Sequence, residues 1–350
     1  MRFLFLSMCF IPQLISHQVG KDIHQVIQSN EKQIEEVLNV CFPGFPKEEI
    51  SKILLVDGHS GDTLLLFACR EQHYVLRLFD PLMSPFQLEM KVHMMQQTDQ
   101  AGVGPHIVGL SKDKRVIAME YVKGGTLTLE QSKNPQNRIK IAEAMRKMHS
   151  GEKNPYIQET LAERIKKVYH KFHEHVENKI GLEKALDLFL QASRTHAQFD
   201  FARVNIHGDL VPRNIFVGND KAVFIDENLF FEDPFLDIAY FSVCLGFEDQ
   251  EELDFLETYL QRPSSIEEQK RFLLAKIITT SRLCIICNCY SSVLAKQGDT
   301  IDASLPIKND SSYASQLTSH NNLLPAQFFY DSARALLIKA EQLTTATLYE

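Results

Sequence analysis

Apolar residues recur at helical spacing between residues 21 and 42, at Ile23, Val26, Ile27, Ile34, Val37 and Leu38, which predicts an amphipathic helix. The rhythm then changes. Between Lys52 and Cys69 two short apolar runs, Ile53-Leu-Leu-Val56 and Leu64-Leu-Leu-Phe67, flank the polar turn Asp57-Gly-His-Ser-Gly-Asp62, and His73 to Phe79 reads as a third strand. Pro85 to Gln97 returns to helix, and Arg115 to Val122 is a further strand that runs into Gly124-Gly125. From Pro135 onward the pattern is mostly helical, broken by residues 205–237. The chain is therefore expected to be α+β in three stretches. They are an N-terminal apolar segment and helix over 1–45, a small strand-rich part over 46–122, and a larger helical part over 123–350. No internal repeat or linker rich in Pro, Gly and Ser cuts it.

Composition narrows the class. A chain of 350 residues with 44% hydrophobic and 23% charged content buries a sizeable core. A formal charge of −8, with no basic stripe, argues against nucleic acid as a partner. The seven cysteines are odd in number and scattered, which reads as reduced thiols. Cys284, Cys287 and Cys289 cluster, but in an apolar run from Arg282 to Tyr290 without a second ligand group, so a core helix is expected rather than a metal site. Phe3 to Ile15 is apolar after Arg2, like the core of a secretion signal, yet Pro12 and Gln13 interrupt it and no small-residue cleavage site follows before His17. It is also too short to span a membrane. The expectation is an N-terminal helix or an over-long gene start on a cytoplasmic protein without a transmembrane span, with secretion as the alternative.

The chemistry concentrates in His207-Gly-Asp209-Leu-Val-Pro-Arg-Asn214-Ile-Phe, followed by Val223-Phe-Ile-Asp226. Asp209 and Asn214 lie five apart on a loop that Pro212 keeps from being regular helix. Two short apolar runs, Ile215-Phe-Val217 and Ala222-Val-Phe-Ile225, flank Gly218-Asn-Asp-Lys221 and predict a β-hairpin. Pairing Val217 with Ala222 places Asn214 opposite Ile225, with Asp226 beside it. An amide oxygen and a carboxylate so placed suit Mg²⁺ on ATP, while Asp209 faces an attacking hydroxyl as base. His207 is a second candidate base. A structural histidine bonded to the loop backbone is preferred, because a carboxylate is better suited to take a hydroxyl proton.

Four features of the strand-rich part join this set. Gly58, Ser60 and Gly61 of the first turn let backbone approach phosphates. Arg77 is one cation in an apolar strand and requires a partner, for which the following helix offers Glu89; such a pair orients phosphates. Glu120 and Val122 end a strand before two glycines and suit backbone recognition of adenine. Asp237, in Asp233-Pro-Phe-Leu-Asp237-Ile-Ala, suits a buried brace of the catalytic loop.

These residues resemble the aminoglycoside phosphotransferase and choline/ethanolamine kinase superfamily, the small-molecule branch of the protein-kinase-like fold. The resemblance covers about 50–350 and is strongest in 205–241. His207 to Phe216 is similar to that family's catalytic loop, Phe224-Ile-Asp226 to its metal-binding segment, and Asp233 to Ala239 to its structural Asp element. Gly102-Val-Gly-Pro105 and His149 match in position as well. The resemblance implies a two-lobed fold, Asp209 as base, Asn214 and Asp226 as metal ligands, ATP and Mg²⁺ as cofactors, and a small-molecule alcohol as phosphate acceptor.

There are departures. Asp226-Glu227-Asn228 stands where many relatives carry an aromatic residue after the Asp, and the chain has no Trp. Any aromatic cage for a quaternary ammonium would need Phe and Tyr. A non-catalytic kinase-like binding module is the alternative, against which the retention of Asp209, Asn214 and Asp226 speaks. The interval from Asp226 to Asp237 is only eleven residues, little room for a peptide-holding segment, which disfavours a protein kinase.

Overall fold

The computed structural model describes residues 28–44, 54–56, 62–69, 71–176, 179–228, 230–296, 301 and 326–349. Two compact units divide the chain. The first takes the described residues up to Gly124 together with Asn154–Tyr156 and Val223–Asn228; the second takes Gly125–Lys153, Ile157–Ala222 and the described residues from 230 onward. A cut near 121–125 alone would leave Val223–Asn228 with the helices. Contacts group that segment with the sheet instead.

In the first unit, β1 (Leu54–Val56), β2 (Thr63–Cys69), β3 (Gln72–Leu78), β4 (Ile107–Leu110) and β5 (Val116–Glu120) form an antiparallel sheet in the order β1-β2-β3-β5-β4. β4 was not legible in the sequence pattern; it is short and irregular, with a register shift between Ile107 and Gly109. Strand alternation sends Leu76, Leu78, Val116 and Ala118 to one face, where α1 (Glu31–Cys41) packs with Ile34, Val37 and Leu38. Gly109 permits that approach, since a Cβ there would lie 1.8 Å from Cys41 Sγ. Ile117, Met119 and Phe79 point to the other face and meet Leu88, Val92 and Met95 of α2 (Pro85–Gln100). Ser84 caps α2 through a reciprocal pair with Gln87, and Pro85 opens its first turn.

The second unit is helical. It holds α3 (Leu129–Ser132), α4 (Pro135–His149), α5 (Leu161–Phe172), α6 (Lys179–His196), α7 (Phe235–Leu245), α8 (Asp249–Leu260), α9 (Ile266–Lys296) and α10 (Ala326–Tyr349). The paired strands β6 (Val204–Ile206) and β9 (Phe230–Glu232) stand among them. β7 (Ile215–Val217) is the first strand of the expected hairpin, Gly218 N–H donates to the Lys221 carbonyl at its turn, and its second strand, β8 (Ala222–Phe224), begins in this unit and ends in the segment grouped with the first. α7 is buried all round, with Phe241 against Phe255 of α8 at 4.8 Å between centroids. Part of α9, Ile266–Ser292, is the one helix among the described residues long and apolar enough to cross a membrane, but its most apolar stretch is almost wholly buried, the condition of a core helix. Cys284, Cys287 and Cys289 lie inside it as free thiols, and burial pushes the Cys287 thiol up to about 12.

Candidate active site

After β6 the chain leaves the sheet as a loop, His207 to Val211, and then a 3₁₀ turn, Pro212–Asn214. Gly208 has φ +71°, a conformation glycine adopts without strain, and the reversal exposes two successive N–H groups on one side. Asp237, in the first turn of α7, accepts both: His207 N–H at 2.6 Å and Gly208 N–H at 2.8 Å. His149, the last residue of α4, places Nε2 3.1 Å from the same carboxylate and Nδ1 2.9 Å from Tyr259 Oη. From the other side Arg282 Nη2 donates to the Gly208 carbonyl at 2.6 Å. The bend is thus clamped through its own backbone. His207 is fully buried and its Nδ1 accepts the Asp209 N–H at 3.2 Å.

Asp209 is 1% exposed. Its Oδ2 accepts Asn214 Nδ2 at 2.6 Å and its Oδ1 accepts the Tyr240 hydroxyl at 3.1 Å. Asn214 Nδ2 also donates to the Asp209 carbonyl at 3.0 Å. Both amide hydrogens are then used on Asp209, which leaves the Asn214 carboxamide oxygen as the atom suited to a metal. Arg282 lies over the Tyr240 ring, 5.0 Å from its centroid. Asp233 anchors the following segment: it accepts Phe235 N–H at 2.8 Å and meets His196 Nε2 at 2.9 Å and Arg271 Nε at 3.1 Å.

In the first unit the partner of Arg77 differs from the expected one. Arg77 Nε donates to Asp62 Oδ2 at 2.8 Å and Nη2 reaches Asp226 Oδ1 at 3.2 Å. Glu89 instead pairs with Lys114, each side chain well over a third exposed. Helix geometry explains the correction. Glu89 and Lys91 are two residues apart, about 200° around α2. Lys91, on the stripe of Leu88 and Met95, meets Asp62 Oδ2 at 3.0 Å, and Glu89 faces away. Asp62 Oδ1 also accepts Asp80 N–H at 3.0 Å. Burial alone would raise the Asp62 carboxyl, but Lys91 and Arg77 hold it well below the usual carboxylate range. For Arg77 burial acts downward, and Asp62 and Asp226 overcome it and raise the guanidinium further.

Asp226 adopts φ +58°, unusual for a residue with a Cβ and a conformation that clusters at functional sites. Its neighbours hold it there: Phe224 N–H donates to the Val103 carbonyl at 2.7 Å, and Thr98 Oγ1 donates to Glu227 Oε1 at 3.0 Å. Gly104 allows this packing, because a Cβ there would meet Thr98 Oγ1 at 2.5 Å. Glu120 ends β5 with its N–H on the His106 carbonyl, and Val122 follows half-buried. Gly58, Ser60 and Gly61 lie outside the described residues. Among the described residues no three or more His, Cys, Asp and Glu gather to hold a metal on their own.

Tyr240, Arg282, Asp62 and Lys91 escaped the sequence reading as site residues. Asp62 carried a signal: in the β2–β3 register Leu64 faces Arg77, so a residue two before Leu64 is a same-face diagonal neighbour of Arg77.

An antiparallel sheet followed by a helical unit, with an Asp–Asn loop clamped by a buried aspartate, defines a kinase-like phosphotransferase fold. The chain belongs to the phosphotransferase enzyme family, whose model matches residues 53–273. No curated protein sequence matches it. Among solved structures it is similar to a choline/ethanolamine kinase family protein from Mesorhizobium loti, at 14% identity and TM-score 0.60 over 89% of this chain and 99% of that one. It is also similar to the choline kinase LicA from Streptococcus pneumoniae, at 17% identity and TM-score 0.58 over 90% and 98%. The amicoumacin kinase hAmiN, solved in complex with AMP-PNP, Ca²⁺ and Ami, aligns at 11% identity and TM-score 0.56 over 87% and 94%.

Proposed function

We propose that this protein is an ATP-dependent small-molecule kinase that phosphorylates the hydroxyl of a small alcohol, choline- or ethanolamine-like, aminoglycoside-like or another. Asp209 is the base: it accepts or orients the hydroxyl proton while the substrate oxygen attacks the γ-phosphorus and ADP departs. Asn214 and Asp226 are proposed, each for its own donor atom, as oxygen ligands of Mg²⁺, which supplies charge neutralisation on the phosphates. Arg77 is proposed to bind phosphates, and the backbone at Glu120 and Val122 to receive adenine.

The observation that carries this reading is the Asp209 carboxylate, buried on the loop that Asp237 clamps and accepting both Asn214 Nδ2 and the Tyr240 hydroxyl. Solved neighbours with bound AMP or AMP-PNP support the nucleotide assignment.

The test is a screen of purified protein with Mg-ATP against a panel of small alcohols: choline, ethanolamine, aminoglycosides, thiamine, homoserine and sugar derivatives. ADP release dependent on one acceptor supports the reading. A folded, ATP-binding protein that phosphorylates nothing in the panel points to a kinase-like binding module instead.

A further inference from the structure

Two cations converge on a single oxygen in the first unit. Asp62 Oδ2 meets Arg77 Nη2 at 2.7 Å and Lys91 Nζ at 3.0 Å. Asp62 stands just before β2, Arg77 is on β3 and Lys91 on the sheet-facing stripe of α2, so three elements hold the group. The expected arrangement, in which the helix supplies a carboxylate to a strand cation, is inverted. Here the strand edge supplies the carboxylate and the helix supplies a second cation.

A brace for Arg77 would not require Lys91. Asp62 already accepts Arg77 through Nε, so one buried pair is complete without the lysine. Lys91 sets a second cation beside Arg77, and the two share one Asp62 oxygen while Asp226 meets Arg77 alone. Its ammonium carries three donors, and Asp62 is the one carboxylate it meets among the described residues. The side chain is 15% exposed, sheltered but open to a ligand. Phe79 lines the same spot, its ring centroid 5.5 Å from the Arg77 guanidinium carbon and 5.9 Å from Lys91 Nζ. Two turns further along the same stripe, Thr98 holds Glu227, the residue after Asp226.

We propose that Lys91 is a second phosphate-binding cation of the nucleotide site, placed by Asp62 beside Arg77 to receive the polyphosphate of ATP. The inference rests on the kinase reading above and adds to it a residue of α2. Asp62 acts as the positioning residue for both cations. Because the contact is to the β- or γ-phosphate, it separates nucleotides by phosphate number and contributes nothing to adenosine recognition.

The test is equilibrium binding by calorimetry, in Mg²⁺, of ATP and of AMP to the parent chain and to Lys91→Met. The expected result is ATP affinity weaker by about 10-fold or more, as for loss of one charge-assisted contact, with AMP affinity unchanged in a variant that melts lower than the parent but is folded at the assay temperature. A folded variant that binds ATP like the parent, or that loses AMP and ATP equally, overturns the inference and leaves the kinase reading standing. A parent that binds neither nucleotide overturns both. Should Lys91→Met fail to fold, acetylation of Lys91 in the parent chain is followed by mass spectrometry. Protection by Mg-ATP beyond that by AMP supports the inference, and equal reactivity overturns it.

Discussion

The Tyr240 hydroxyl donates to Asp209 Oδ1 at 3.1 Å, from the first half of a helix whose Asp237 holds the backbone of the same loop. One helix, α7, thus fixes both the path of the His207–Asn214 loop and the orientation of its Asp209 carboxylate. In the proposed mechanism this is preorganisation: the base is aimed before substrate arrives.

Asp209→Asn keeps shape and removes basicity. Turnover on a confirmed acceptor is expected to fall by about 10²–10⁴-fold, with ATP affinity nearly unmoved. Tyr240→Phe removes one donor and leaves the carboxylate. It is expected to lower kcat by about 10-fold at a stability cost of about 1 kcal/mol. Steady-state kinetics and calorimetry on the two variants check this, and an Asp209→Asn enzyme with parental kcat would remove Asp209 from the chemistry.

Asp237→Ala strips acceptors from two buried N–H groups and from His149. The expected cost is on the order of 3–5 kcal/mol, read by chemical denaturation. His207→Gln is expected to lower stability and turnover together, since His207 acts through the loop backbone. A variant at Asp237 as stable as the parent would show that the loop holds its bend without the brace.

Asp62 gives a pH signature. Its carboxyl is held well below the usual range in the folded chain, against an ordinary value of 3.8. The unfolded chain therefore binds the proton first, and stability rises with pH through this window. The Asp62 contribution is complete above about pH 5 and declines as pH falls below about 4. Asp62→Asn is expected to melt lower at neutral pH and to show a shallower loss on acidification. Glu89→Gln, which breaks only a partly exposed pair, should shift stability by no more than about 1 kcal/mol. Melting curves between pH 3 and 7, run at about unit steps, separate the three proteins.

Asp226→Asn tests the metal assignment. The neutral amide does not replace the charge that holds Mg²⁺, so ATP affinity in Mg²⁺ should fall by about 10-fold or more while affinity in EDTA changes little. Equal affinities in Mg²⁺ would dismiss Asp226 as a ligand.

Local sequence determined much of this protein. Alternating and helical apolar spacing set α1, α2 and strands β2, β3 and β5, because each element must bury one face and its period follows from backbone geometry. Pro212 and the His207–Asn214 spacing marked the candidate loop, since loop chemistry is written in a few adjacent residues. Tertiary structure decided the partners. A lone buried cation such as Arg77 announces that it requires a carboxylate, but strand register and helix phase chose Asp62 and Asp226 over Glu89. Tyr240 and Arg282 lie 31 and 73 positions beyond Asp209, and nothing in their local pattern distinguishes them from core residues of apolar helices. They reach the loop because α7 and α9 pack beside it, and packing of distant segments is a property of the whole chain's burial rather than of any window along it.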